Sequence, residues 1–171
     1  KFRFKDHKGE VKEGATGVET ITLLVAVYNK DKSHEVYTVT IPGEVEKRRD
    51  SKEKCKEFGS SWIGQYDPVS RIVLGWDGRI TNLKFVKEAM SQLGQEEVFR
   101  QLRQLEYVIQ WGTMTLQDAV DFSTLMIQTT SAIQRFSDGI QANPGDVPGV
   151  GGAIDVAVIT PAKGYVWIAK K

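Results

Sequence analysis

A chain of 171 residues, 40% apolar and 26% charged, carries core material for about one domain and is neither a disordered tail nor a disulfide mini-protein. Its 23 basic and 22 acidic residues leave a net charge of +1, so no global field draws it to nucleic acid or to an anionic membrane. One cysteine and two histidines exclude an intrachain disulfide and a Cys/His zinc cluster, and the longest uncharged run, Phe122 to Gln134, falls short of the roughly twenty apolar residues that span a bilayer.

Residues 1–20 read as a polar N-terminal arm or edge strand, with Lys1, Arg3, Lys5, Lys8 and Lys12 among Phe2 and Phe4. Residues 21–171 read as a single α+β domain with a helical insertion at about 75–114. The run ITLLVAVY, from Ile21 to Tyr28, is apolar on both faces; the alternating EVYTVTI that follows a short polar cluster makes the pair a hairpin. A strand apolar on both faces predicts cover on both sides. Pro42 and Gly43 close the second strand, and the mixed charges from Glu44 to Glu57 predict a solvated loop or helix. FGSSWIGQ then reads as a short buried strand.

Asp67-Pro68 opens a helix, the carboxylate being placed to cap free amides and proline losing no needed donor, and Gly75 stops it. Further helices are predicted from Asn82 to Gln92 and from Glu96 to Gln110. From Thr115 to Phe136 the signal is strongest: Thr115 and Asp118 have the spacing of a capping box, and neither glycine nor proline interrupts. Ala119, Phe122, Met126 and Ile133 form a stripe that predicts packing onto a sheet. After Asp138-Gly139 and the loop NPGDVPGVGG, the runs AIDVAVIT and YVWIA predict a second hairpin, giving the order β, helices, β.

Isolated residues offer little chemistry. Cys55 lies between Lys54 and Lys56, but no histidine is near and the run reads as solvated. His34, at a hairpin turn, and His7, in the arm, read as unpaired surface histidines. GVGG precedes a strand, whereas phosphate cradles precede a helix. The cluster from Lys47 to Lys56 lacks the interleaved aromatics of a single-strand nucleic-acid groove. Trp62, Trp76, Trp111 and Trp167 read as packing residues. No cofactor, metal, nucleic acid or membrane is expected.

Taken in order, ITLLVAVYNKDKSHEVYTVTIPG, SSWIGQYDPVSRIVLG, MTLQDAVDFSTLMIQTTSAIQ, RFSDG, GGAIDVAVIT and GYVWI cover roughly two thirds of the chain and resemble the C-terminal part of proteasome-like N-terminal nucleophile hydrolases. The resemblance implies a four-layer αββα sandwich, two sheets between helical layers, that lacks its first strands here. It also implies hydrolysis of amide or peptide bonds, in which the α-amine of an N-terminal Thr, Ser or Cys is the base for its own side chain. Residue one is Lys1, so the nucleophile is expected on a segment outside these residues; the alternative is a non-catalytic assembly or interaction domain of the same lineage. Supporting positions carried over are Gly64 and Gln65, in the glycine turn beside the site, and Ser137, which matches a serine that orients the amine. The acidic position beside it falls on Gln134, a departure that cannot supply the negative charge and leaves Asp138 as the substitute. The resemblance further implies a homo- or hetero-oligomer, a companion N-terminal segment or chain, a peptide or protein substrate and a cytoplasmic setting.

Overall fold

The computed structural model describes residues 3–5, 10–13, 20–140, 143–144 and 149–170; His7 and much of the N-terminal arm and of the loop from Asn143 to Gly152 lie outside them. The chain forms two compact units, Lys1–Ile63 with Ile159–Val166 and Gly64–Val158 with Trp167–Lys171.

In the first unit, β1 (Arg3–Lys5) pairs antiparallel with β2 (Val11–Glu13). A meander follows of β3 (Ile21–Tyr28), β4 (His34–Ile41) and β5 (Val45–Asp50), in that order across the sheet. The predicted hairpin pairs Ile21 with Ile41 at one end and Tyr28 with His34 at the other. Its turn is closed by the Asn29 N–H on the Ser33 carbonyl (2.8 Å) and by Asp31 Oδ1, which accepts from the Ser33 N–H (3.0 Å) and hydroxyl (2.6 Å).

Three expectations need correction here. The stretch from Glu44 to Glu57 begins as strand β5, because the Pro42-Gly43 turn folds it back on β4, where the Thr40 N–H meets the Glu44 carbonyl at 2.9 Å. Its charges are paired by sign, Lys47 Nζ reaching Glu35 and Asp50 at 2.8 Å each. Second, β3 is bare: Ile21 is 60% and Leu23 44% exposed, since the described residues of this unit contain no helix to lie on the three-stranded sheet. Third, FGSSWIGQ is no strand. The Arg49 guanidinium occupies its carbonyls instead, donating to Phe58 O (3.2 Å) and Ser60 O (2.7 Å). Gly59 between them lies at φ +142°, and a Cβ there would come within 2.5 Å of that guanidinium. His34 has a partner as well, its Nε2 lying 2.7 Å from the Glu57 carbonyl.

The second unit is helical. Helix α1 (Asp67–Leu74) ends at Gly75 in the left-handed conformation, φ +80°, where a Cβ would stand 2.6 Å from that of Leu105. Asp67 does not cap it: Tyr66 holds the cap position, and Asp67, already in the first turn, pairs with Arg79. A 3-10 turn (Gly78–Asn82), α2 (Lys84–Leu93) and α3 (Gln95–Leu102) follow. The helix predicted to reach Gln110 stops early: after the 3-10 turn Arg103–Leu105 the chain extends and the Tyr107 N–H bonds to the Val73 carbonyl at 3.0 Å. Helix α4 (Leu116–Arg135) starts on the predicted capping box, Thr115 and Asp118 each receiving the other's backbone N–H. Its buried residues are Met126 and Thr130, and its partner is α1 where the stripe predicts a sheet. Among the described residues Val69 and Val73 of α1, Val86, Val98 and Met126 make the buried apolar core, all of it in this unit.

The remaining strands are β6 (Gly139–Ile140), paired with β7 (Asn143–Pro144), and the predicted final hairpin of β8 (Val156–Thr160) and β9 (Gly164–Ala169), through which the division into units runs. Among the described residues the fold is thus mixed α and β with small sheets and no barrel, compatible with an α+β reading. Among the described residues no helix is long and apolar enough to cross a membrane.

Candidate functional site

The second unit holds a cleft of about 970 Å³, a size suited to a small molecule or a short stretch of peptide. Helix α1 supplies one wall through Asp67, Pro68, Arg71 and Ile72, the segment from Gly75 to Leu83 a second, and the end of α4 with Ser137, Gly139 and Ile140 a third. The walls are mainly apolar.

Charge in the cleft is concentrated in four side chains. Arg71 lies one helical turn after Asp67, so both project from the same face of α1. The Gly75 stop then returns the chain to bring Asp77 and Arg79 against them. Arg71 Nε donates to Asp77 Oδ2 at 2.5 Å, and Arg79 Nη1 lies 3.2 Å from Asp67 Oδ2 and 3.6 Å from Asp77 Oδ2. The other oxygen of Asp77, Oδ1, accepts from the Arg79 backbone N–H at 2.8 Å, opening the 3-10 turn. Burial pushes the Asp77 carboxyl upward, but that backbone bond and the Arg71 guanidinium outweigh it and hold the group below the ordinary carboxylate range. Pairing with the Asp67 carboxylate raises the Arg79 guanidinium above its ordinary value.

Of the residues picked from sequence, Gln65 and Ser137 line this cleft, brought together from either end of the helical segment. Gly64 stands just before it at φ +80° and is not among the lining residues; Asp138 is exposed and likewise outside the lining. Gln134, the departure from the acidic pattern, lines the cleft, and its Oε1 accepts the Val150 N–H at 2.9 Å, tying the glycine-rich loop to the end of α4. An amide does this as well as a carboxylate would, without charge. The four-residue cluster was missed in the sequence. Its signal was there: Asp67 and Arg71 at helical spacing, and Asp77-Gly78-Arg79 directly after the helix stop.

Cys55 is exposed in the turn after β5. Among the described residues no group of three or more His, Cys, Asp or Glu side chains is placed to hold a metal ion. Trp76 stacks on Phe99 (centroids 5.5 Å apart) and Trp111 meets Phe122 edge-on (5.2 Å), packing roles as expected. Compared with protein-family models, with curated proteins and with solved structures, the chain matches none.

Proposed function

We propose that this chain is the larger part of a proteasome-like N-terminal nucleophile hydrolase, or of a subunit of one, that cleaves amide bonds of a peptide or protein substrate in the cytoplasm. The observation that carries the reading is that Gln65 and Ser137, supporting positions from two different stretches of the sequence, both line one cleft. In this reading the nucleophile, a Thr, Ser or Cys bearing a free α-amine, comes from a segment outside these residues. Its amine takes the proton of its own side chain, which attacks the amide carbonyl, and Ser137 orients that amine. The four-layer sandwich belongs to the same proposal, with β3 to β5 and the β8–β9 hairpin contributing to its two sheets. No cofactor, nucleic acid or membrane enters it.

Native mass spectrometry with N-terminal sequencing of the purified complex tests the reading, together with release of a fluorogenic amide. A companion or longer chain beginning with Thr, Ser or Cys, with amide release abolished when that residue is changed to Ala, is the expected result. A single species beginning at Lys1 with no amide release would sink it.

A second reading, a non-catalytic assembly domain of the same lineage, draws on the bare faces of β3, where Ile21, Leu23 and Val25 are exposed together. It expects an oligomer without hydrolysis.

A further inference from the structure

We infer that the cleft of the helical unit binds a carboxylate attached to an apolar group, with Arg71 as its anion clamp. The inference rests on the cleft alone and stands whether or not the chain hydrolyses amides.

The charge accessible in the cleft is positive. Asp67, Arg71, Asp77 and Arg79 sum to zero, yet they are not equally accessible. The side chains of Arg71 and Arg79 are 50% and 38% exposed, those of Asp67 and Asp77 only 14% and 4%. The negative charges lie beneath, Arg79 turns its Nη1 inward to them, and Arg71 faces the solvent, so an entering ligand meets guanidinium. Each carboxylate already has a cationic partner at 3.6 Å or less, which lowers the repulsion an anion would feel.

Arg71 is also preorganised. Arg71 is held at Nε by buried Asp77, while its two Nη groups have no hydrogen bond among the described residues. An arginine anchored at Nε presents its terminal fork with part of its rotamer freedom already lost, and that planar fork matches the two oxygens of a carboxylate. The walls beside it set the rest of the ligand. Ile72, Trp76, Ile80, Leu83 and Ile133 are apolar and favour a hydrocarbon or aromatic group, while they disfavour a heavily hydrated phosphate dianion. Two sources share this chemistry: a free aryl or alkyl carboxylic acid, and the C-terminal end of an apolar peptide.

Binding of matched acid and amide pairs to the full chain at neutral pH tests this by calorimetry. The pairs are N-acetyl-Leu-Phe and its C-terminal amide for the peptide source, and 4-phenylbutyrate and its amide for the free acid. In at least one pair the acid should bind tighter by on the order of tenfold or more, the usual worth of a charge-assisted bidentate contact. Whichever pair shows the preference identifies the source. Arg71→Gln should abolish the preference for the acid over its amide, with Arg71→Lys in between because it keeps the charge and loses the fork. Equal binding of acid and amide in both pairs, no binding by any of the four, or an acid preference that survives Arg71→Gln would overturn the proposal. The acid-to-amide ratio of the unaltered protein needs no variant, so a misfolded Arg71→Gln does not protect the idea. Loss of the hydrolase reading would leave that ratio untouched.

Discussion

The three-stranded sheet of the first unit and the helical second unit have apolar residues in comparable supply and use them in opposite ways. In the helical unit α1 packs on α4 and α2 on α3, and Val69, Val73, Val86, Val98 and Met126 are buried, while Leu116, Leu125 and Ile127 of α4 stay exposed. In the sheet, Ile21, Leu23, Leu24, Val25 and Tyr28 remain exposed, and its ion pairs and the Arg49 contacts are the fixed points. What separates the two is whether a complementary face exists among the described residues. Hydrophobicity supplies a driving force, but only a partner surface turns it into burial.

Truncation on each side is the sharpest way to break this contrast. Met126→Ala should destabilise the protein by about 2–4 kcal/mol through lost burial and the cavity left behind. Leu23→Ala on the bare sheet should cost under about 1 kcal/mol, as surface substitutions usually do. Equal costs in chemical denaturation would mean that β3 is covered in solution. Gly75→Ala follows in size: a Cβ at φ +80° and 2.6 Å from Leu105 should cost about 2 kcal/mol from strain and overpacking combined. A neutral result would show that α1 and the Leu105 segment can move apart.

Asp77→Asn should cost about 1–2 kcal/mol at neutral pH, discounted because half-exposed Arg71 is screened by water. The sign of the pH effect follows from the depressed carboxyl. Its stabilising contribution is present above the ordinary carboxylate range and is lost as pH falls through the lowered folded value. Acid titration of stability should therefore be shallower in Asp77→Asn than in the parent; identical acid limbs would remove Asp77 from the account. The smallest effect is at the start of α4, where Thr115→Ala should cost about 1 kcal/mol by thermal melting. No loss would mean that tertiary packing alone sets that helix start.

The elements most legible in the sequence were those whose cause is local. Thr115 and Asp118 give the start of α4, Gly75 gives the stop of α1, and the alternation in EVYTVTI gives β4. Those missed depended on distant residues. Nothing in VEKRRD announces a strand until the Pro42-Gly43 turn lays it on β4, and nothing in FGSSWIGQ shows that Arg49 will take its carbonyls. The site divides in the same way. Gln65 and Ser137 were found by resemblance and do share a cleft, whereas Gly64 and Asp138 stay outside its lining. The Asp67–Arg71–Asp77–Arg79 cluster escaped because it needs a helix face and a chain reversal together.

The sheet of the first unit also has a direction. Along β5 run Glu46, Lys47, Arg48, Arg49 and Asp50, and the pairing of β4 with β5 slips at Val36/Tyr37. Charge and irregular register together discourage an added strand on that side. β3, uncharged from Ile21 to Tyr28 and regular along its whole length, offers no such obstacle. A foreign strand that docks there meets a guarded margin three strands away, so among the described residues growth by strand addition has one open end per sheet. Two such sheets joined open end to open end would stop as a pair, and a fibril would find nothing on which to continue.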